Sequence, residues 1–229
     1  MQTQAPYLRN SIKILYEDPG YVVFEKPAGL LVIPTEAQEL NTLVNIVNYQ
    51  YATGKEAKLH PCHRLDKETS GVILFAKGKG HQQKMMEEFK AHRVKKHYIA
   101  FIQGRLKQSA GQLRSVIRDL DQKKFQKHSA AKFSITNYKV LDVKKLFTVV
   151  DVEPITGRTN QIRIQFAQIG NPLVGDRKYS IAKNYPLKFR RTALHAAQLQ
   201  WINPETNKTI TVQSDLPKDM EEFLAKHRN

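Results

Sequence analysis

Residues able to do chemistry crowd into His60-Pro61-Cys62-His63-Arg64-Leu65-Asp66, a run that ends in Thr69-Ser70-Gly71 just before the apolar stretch 72–76. Polar side chains concentrated on a loop beside a buried strand have the character of a site. His60, Cys62 and His63 could ligate a metal, but a closed zinc site takes four ligands and Cys62 is the only cysteine, so no metal is expected. Taken alone, Asp66 reads as a loop or cap carboxylate and Arg64 as a solvated charge. A second cluster is Thr156-Gly157-Arg158-Thr159-Asn160-Gln161-Ile162-Arg163, read as a glycine turn feeding a helix that bears two arginines. It lacks the Gly-Lys-Ser/Thr run of an ATP site. Arg163 adjoins Ile162 on the inner side of that helix, where a guanidinium is costly unless a carboxylate pairs with it; a structural salt bridge and a functional one are both open. Tyr98 shares a strand face with Ala100 and Ile102, and core packing is the commoner fate of such a residue.

The elements that must position these residues follow from period and punctuation. Residues 12–16 and 21–25 read as strands around the Asp18-Pro19-Gly20 turn. Residues 41–52 have Leu43, Val44, Val47 and Tyr51 at helical spacing with Asn41 as N-cap. Residues 53–69 read as loop, 72–76 as a buried strand, and 80–92 as a helix with Met85, Met86 and Phe89 inward. Strands are expected at 97–103, 112–118, 132–141 and 146–152. A helix follows at 159–169, with Ile162, Phe166 and Ile169 on one side and Gly170 as its stop. Strands at 194–202 and 209–212 and a helix at 218–226 close the chain. The expected class is α+β: one domain over residues 1–229, with a short extension at 1–11 and a central mixed, largely antiparallel sheet flanked by helices.

Charge narrows the partner. The 229 residues hold 37 Lys and Arg against 21 Asp and Glu, a formal net charge of +16. Cations that meet phosphates release condensed counterions, so nucleic acid is the natural partner of such an excess. A membrane surface is disfavoured, because the charges are spread along the chain rather than gathered beside an apolar anchor. One cysteine permits no internal disulfide, and no apolar stretch is long enough to span a bilayer. A soluble cytoplasmic protein is expected.

Several motifs in order then form a pattern. His63-Arg64-Leu65-Asp66 with Thr69-Ser70-Gly71, preceded by Lys26-Pro27-Ala28-Gly29 and followed by Gly157-Arg158-Thr159, Gln161-Ile162-Arg163 and Leu194-His195-Ala196, resembles the RluA-type pseudouridine synthases from about residue 12 to Trp201. The resemblance implies isomerisation of uridine in RNA, ribosomal or transfer, without a cofactor and with a pseudouridine synthase-like fold. It implies that Asp66 is the nucleophile, that Arg163 pairs with it, and that Tyr98 stacks on the target uracil. Arg64 would fill the space left by the flipped nucleotide and Leu194 would line the pocket, with Leu65, Ile162 and Arg158 completing the substrate-binding set. A nucleophilic carboxylate must stay ionised, which a guanidinium favours, and a uracil that must turn is suited by a flat aromatic face and apolar walls. Asn160 and Gln165 stand where relatives often have His, and Ile33 replaces the His of a Val-His-Pro segment. The chain starts too near its Lys-Pro-Ala-Gly motif for a small S4 RNA-binding domain, so a monomer that binds RNA with the catalytic domain's own surface is expected. Lysines and arginines around the Asp66 cleft, including Arg158, Arg177, Arg190 and Arg191, are expected to engage its phosphates. A non-catalytic RNA-binding or assembly factor on the same fold is the alternative.

Overall fold

The turn between the first two strands is held by its own carboxylate. In the computed structural model, which describes residues 11–51, 58–117, 131–180 and 186–227, Asp18 Oδ1 accepts the backbone N–H groups of Gly20 (2.9 Å) and Tyr21 (2.7 Å). This local bond sets the reversal before any long-range contact forms. Among the described residues the elements run β1 (Ile14–Glu17), β2 (Tyr21–Lys26), α1 (Leu43–Tyr51), β3 (Leu59–Pro61), β4 (Ser70–Lys77) and α2 (Lys79–Lys90). Then come β5 (Lys95–Gln103), β6 (Ala110–Ile117), β7 (Lys132–Val143), β8 (Phe147–Pro154) and α3 (Gln161–Gln168). β9 (Leu194–Ile202), β10 (Thr209–Gln213) and α4 (Lys218–Lys226) end the chain.

The chain forms two compact units, Met1–Lys95 with Ala196–Asp215, and Lys96–His195 with Leu216–Asn229. In the first, β2 lies between β1 and β4, both antiparallel, and β10 pairs antiparallel with β9. Its core joins Tyr21, Val23, Val72 and Leu74, alternate residues on one face of strands β2 and β4, which are buried on both faces, with Met85 of α2 and with Leu199, Trp201 and Val212. In the second, β5, β8, β7 and β6 form an antiparallel meander in that spatial order. One side packs Ala100, Ile102, Val150 and Val152 against Ile162 and Phe166 of α3. Another cluster packs Phe101, Phe147 and Val149 against Met220 and Phe223 of α4. Both units are therefore α+β with largely antiparallel sheet, the expected class.

Several expectations need correction. β3 lies inside the segment read as loop, because Leu59–Pro61 has no alternation and is held by pairing with β4 and by bonds from Asn48 and Gln82. α1 starts from Thr42, whose carbonyl takes the Ile46 N–H at 3.0 Å, so Asn41 is not its N-cap. Its buried residues are Leu43, Ile46 and Val47. Met85 is fully buried but Met86 is 52% exposed, since neighbours on a helix point about 100° apart. Ile169 falls past the end of α3 and is exposed. The extension expected at 1–11 lies, except for its last residue, outside the described residues, as do Ala52 and Arg118 at the ends of an expected helix and strand.

Candidate active site

Asp66 follows buried Leu65 on a loop of the first unit, with Arg64 exposed beside them. The loop is fastened from beneath by Lys26, a fully buried lysine at the end of β2. Its Nζ donates to the carbonyls of Pro27 (2.9 Å), Lys67 (3.1 Å) and Thr69 (2.7 Å). A buried ammonium is costly unless hydrogen-bonded, and its three donors match these three acceptors. Two of the acceptors lie one and three residues beyond Asp66. The Gly29 N–H also bonds the Lys67 carbonyl (2.8 Å), and the Thr69 N–H bonds that of Asp66 (3.1 Å). Thus Lys26-Pro27-Ala28-Gly29 acts on the Asp66 loop through the backbone. Gly71, opposite Lys26 in the β2–β4 ladder, has φ +111°. A Cβ there would stand 2.1 Å from the Ala196 carbonyl oxygen, so no other residue type fits.

Cys62 and His63 of this segment serve the fold. Cys62 is buried in the core of the first unit, and that burial pushes its thiol up to about 12. His63 Nε2 accepts the Leu74 N–H at 3.1 Å, and its ring lies against Phe89. Among the described residues no three His, Cys, Asp or Glu side chains gather into a metal-binding group.

In the second unit three expected site residues meet, two for substrate binding and the catalytic Tyr98. Ile162 of α3 and Leu194 of β9 are buried in one apolar cluster, and half-buried Tyr98 of β5 packs on it. Arg163, the next residue of α3, turns to a buried carboxylate. Its Nε and Nη2 donate to Asp176 Oδ2 (2.7 Å) and Oδ1 (3.0 Å), and its Nη1 donates to Asn160 Oδ1 (2.8 Å). Tyr179 places its ring 5.0 Å below the guanidinium. The need for a carboxylate partner was readable in the sequence; Asp176 as that partner was not. The Asp176 side chain is wholly buried. Burial raises its pKa, but Arg163 and the backbone N–H groups of Tyr179 and Lys178 outweigh it, holding the carboxyl below the usual range.

Arg158 sits on the turn before α3, and Gln161 fixes that turn. Gln161 Oε1 accepts from Thr156 Oγ1 (2.7 Å) and the Arg158 N–H (3.0 Å), while its Nε2 donates to the Ile135 carbonyl (3.0 Å) and Thr136 Oγ1 (2.8 Å). Its entire hydrogen-bonding capacity is used. The departures at Asn160 and Gln165 also have local roles. Asn160 takes the left-handed conformation at φ 54°, which Asn tolerates, and orients Arg163. Buried Gln165 donates to Leu113, Ser115 and Ser134, tying α3 to β6 and β7. Arg191, placed by sequence among the phosphate-binding cations, is instead buried and bidentate to Asp219 (2.6 and 2.9 Å).

Comparison with known proteins shows what the chain is similar to. The family profile described as RNA pseudouridylate synthase matches residues 20–168, which include Asp66, Tyr98 and Arg163. The Bacillus subtilis (strain 168) "Uncharacterized RNA pseudouridine synthase YhcT" is 33% identical over 214 residues, covering 91% of this chain and 70% of that protein. "Ribosomal large subunit pseudouridine synthase D" of Blochmanniella floridana is 32% identical over 233 residues, covering 93% and 72%. Among solved structures, "Human RNA Pseudouridylate Synthase Domain Containing 4" superposes with a TM-score of 0.77 at 27% identity, covering 94% of this chain and 92% of that one.

Proposed function

We propose, from the premise that the chain belongs to the RNA pseudouridylate synthase family, that Asp66 is the nucleophile with which it isomerises uridines of structured RNA to pseudouridine. In that reaction the N1–C1′ bond breaks, a C5–C1′ bond forms, C5 loses a proton and N1 ends with one, so it balances without oxidant or reductant. The target base is inaccessible while stacked and must be flipped out. The observation that carries the reading is the anchoring of the Asp66 loop, whose backbone is bonded on the C-terminal side of the carboxylate by buried Lys26. A nucleophile on a loop needs such support to hold a productive geometry.

In this proposal Arg163 is the cation that keeps Asp66 ionised, Tyr98 offers its ring to the uracil, and Leu65, Ile162 and Leu194 are the apolar walls. Arg64 fills the space of the flipped nucleotide and Arg158 meets phosphate. The chain acts as a single catalytic domain, in a cytoplasmic monomer that needs no protein partner. Relatives named for the large ribosomal subunit make large-subunit ribosomal RNA the substrate to try ahead of transfer RNA.

The test uses such RNA labelled with tritium at uridine C5, because bond formation there ejects the label. Wild type is expected to release tritium and Asp66→Ala to release none above background while still binding RNA. Release by both proteins removes Asp66 from the chemistry. Tight binding by wild type without release, on both ribosomal and transfer RNA, favours the binding factor instead.

A further inference from the structure

Where β6 and β7 meet the turn before α3, the second unit has a small cavity of about 100 Å³ lined by Ile117, Lys132, Gly157, Arg158 and Thr159. Ligand pockets for whole drug-sized molecules run to roughly 300–1,000 Å³, so this one suits a small group. Its composition is one-sided. Ile117, buried, and Lys132 are direct partners in the β6–β7 ladder, and the other three residues belong to the turn that Gln161 locks. Arg158 is further steadied by its Nε, which donates to the Phe133 carbonyl at 3.5 Å.

Among the described residues the lining contains two cations and no carboxylate. Among the described residues neither Lys132 nor Arg158 has an acidic partner, whereas Lys77, Arg93, Arg163 and Arg191 are paired. A third amine stands near the turn: Lys96 Nζ is the nearest atom to the place a Cβ on Gly157 would take, 3.8 Å away. Its burial lowers it to about 8 against the attraction of Glu153, so it gains from an added negative charge nearby. Positive donors on a rigid, concave support, with the turn residue lacking a side chain, favour a compact acceptor-only anion.

We propose that this cavity seats one backbone phosphate of the substrate RNA between Lys132 and Arg158. The inference rests on the reading that the protein acts on RNA. It adds Lys132 as a binding residue, and a fixed point from which the strand's register is set, since phosphate contacts position a nucleic acid rather than read its sequence.

The test measures affinity for a large-subunit ribosomal RNA fragment across a range of KCl concentrations, for wild type, Lys132→Ala, Lys132→Arg and Lys139→Ala. Lys139 is an exposed lysine of the same strand outside the cavity, and its removal controls for net charge. Lys132→Ala is expected to weaken binding about 5- to 20-fold and to reduce the slope of log affinity on log salt by about one. Lys132→Arg should restore the slope, and Lys139→Ala should change affinity less than about 2-fold, because screening mutes charges beyond about 10 Å. Equal effects of the two alanine variants, or weaker binding at unchanged slope, would overturn the proposal. Inorganic phosphate at matched ionic strength separates the sources: it should weaken RNA binding to wild type beyond the effect of chloride but not binding to Lys132→Ala, whereas phosphate that binds without displacing RNA would mean that the cavity takes the free ion and not the RNA backbone. Because binding is read rather than turnover, a protein that passes here yet never releases tritium loses the synthase reading and keeps the phosphate site.

Discussion

At the scale of the residue, the pair Arg163–Asp176 shows how a reactive site can be held by groups that do no chemistry. The guanidinium is clamped in plane by two oxygens of Asp176 and by Asn160, and faced by the Tyr179 ring. A cation meant to keep another carboxylate ionised must itself be positioned, and a lysine could not make this planar fork. Asp176→Asn leaves a buried arginine without its counter-charge, which costs about 3–5 kcal/mol when one member of such a pair is removed. Urea denaturation at pH 7 should show a loss of that size, and kcat should fall more than KM rises in enzyme kept below its transition. The pH dependence has a definite sign. The Asp176 carboxyl is held below its ordinary value in the folded chain, so it contributes stability above about pH 3.9, its unfolded value, and this is lost as pH falls through the folded one. Wild type should therefore lose stability on acidification below about pH 5 more steeply than Asp176→Asn. Parallel slopes in the two proteins would mean that Asp176 is not the titrating group.

At the scale of the element, close approach of backbones decides what sequence can occupy β4. The Gly71 backbone leaves no room for a Cβ against the Ala196 carbonyl, and its φ of +111° is itself unfavourable for any L side chain. Gly71→Ala should therefore cost about 2–4 kcal/mol and disturb the Asp66 loop five residues earlier. Chemical denaturation would read the first effect and tritium release the second; wild-type stability would mean that the strands do not approach this closely. The same elements show what periodicity can and cannot convey. The bounds of β9 and α4 agree with those expected from alternation and helical spacing, because each has one clearly buried face. β3 was hidden because three residues ending in proline have no pattern of their own and exist through β4. Met86 was misplaced because an apolar side chain was read as buried when helix geometry can turn only one of two neighbours inward. Of the proposed site, Asp66, Arg163 and Tyr98 were named from the motifs around them. Asp176 was not, since its partner lies 13 residues away and nothing local marks it, and although Gln161 stands in one of those motifs, its bond to Thr136, 25 residues away, is not readable there.

At the scale of the whole molecule, the net charge is a statement about partners that pairing inside the chain cannot remove. Were each of the 21 acidic residues to neutralise one of the 37 Lys and Arg, 37 − 21 = 16 cations would still lack a partner. The structure sorts the arginines that sequence alone treated alike. Arg177 and Arg190 are exposed and, among the described residues, pair with no carboxylate, while Arg191 is buried against Asp219 and also donates to the Thr192 and Leu194 carbonyls. Charge reversal should divide them accordingly. Arg190→Glu exchanges a solvated cation for an anion on the face a polyanion would meet, so the protein should fold normally, bind RNA more weakly and lose about one to two from its salt slope. Arg191→Glu sets a carboxylate beside Asp219 and the two carbonyls in a buried position, and should lower stability by about 3–5 kcal/mol. Circular dichroism melts and salt-dependent binding, measured on both variants, separate the two roles. A folded Arg191→Glu with the same binding defect as Arg190→Glu would return Arg191 to the RNA surface, whereas an unfolded one beside a folded but weakly binding Arg190→Glu ties the excess charge to RNA through its exposed members alone.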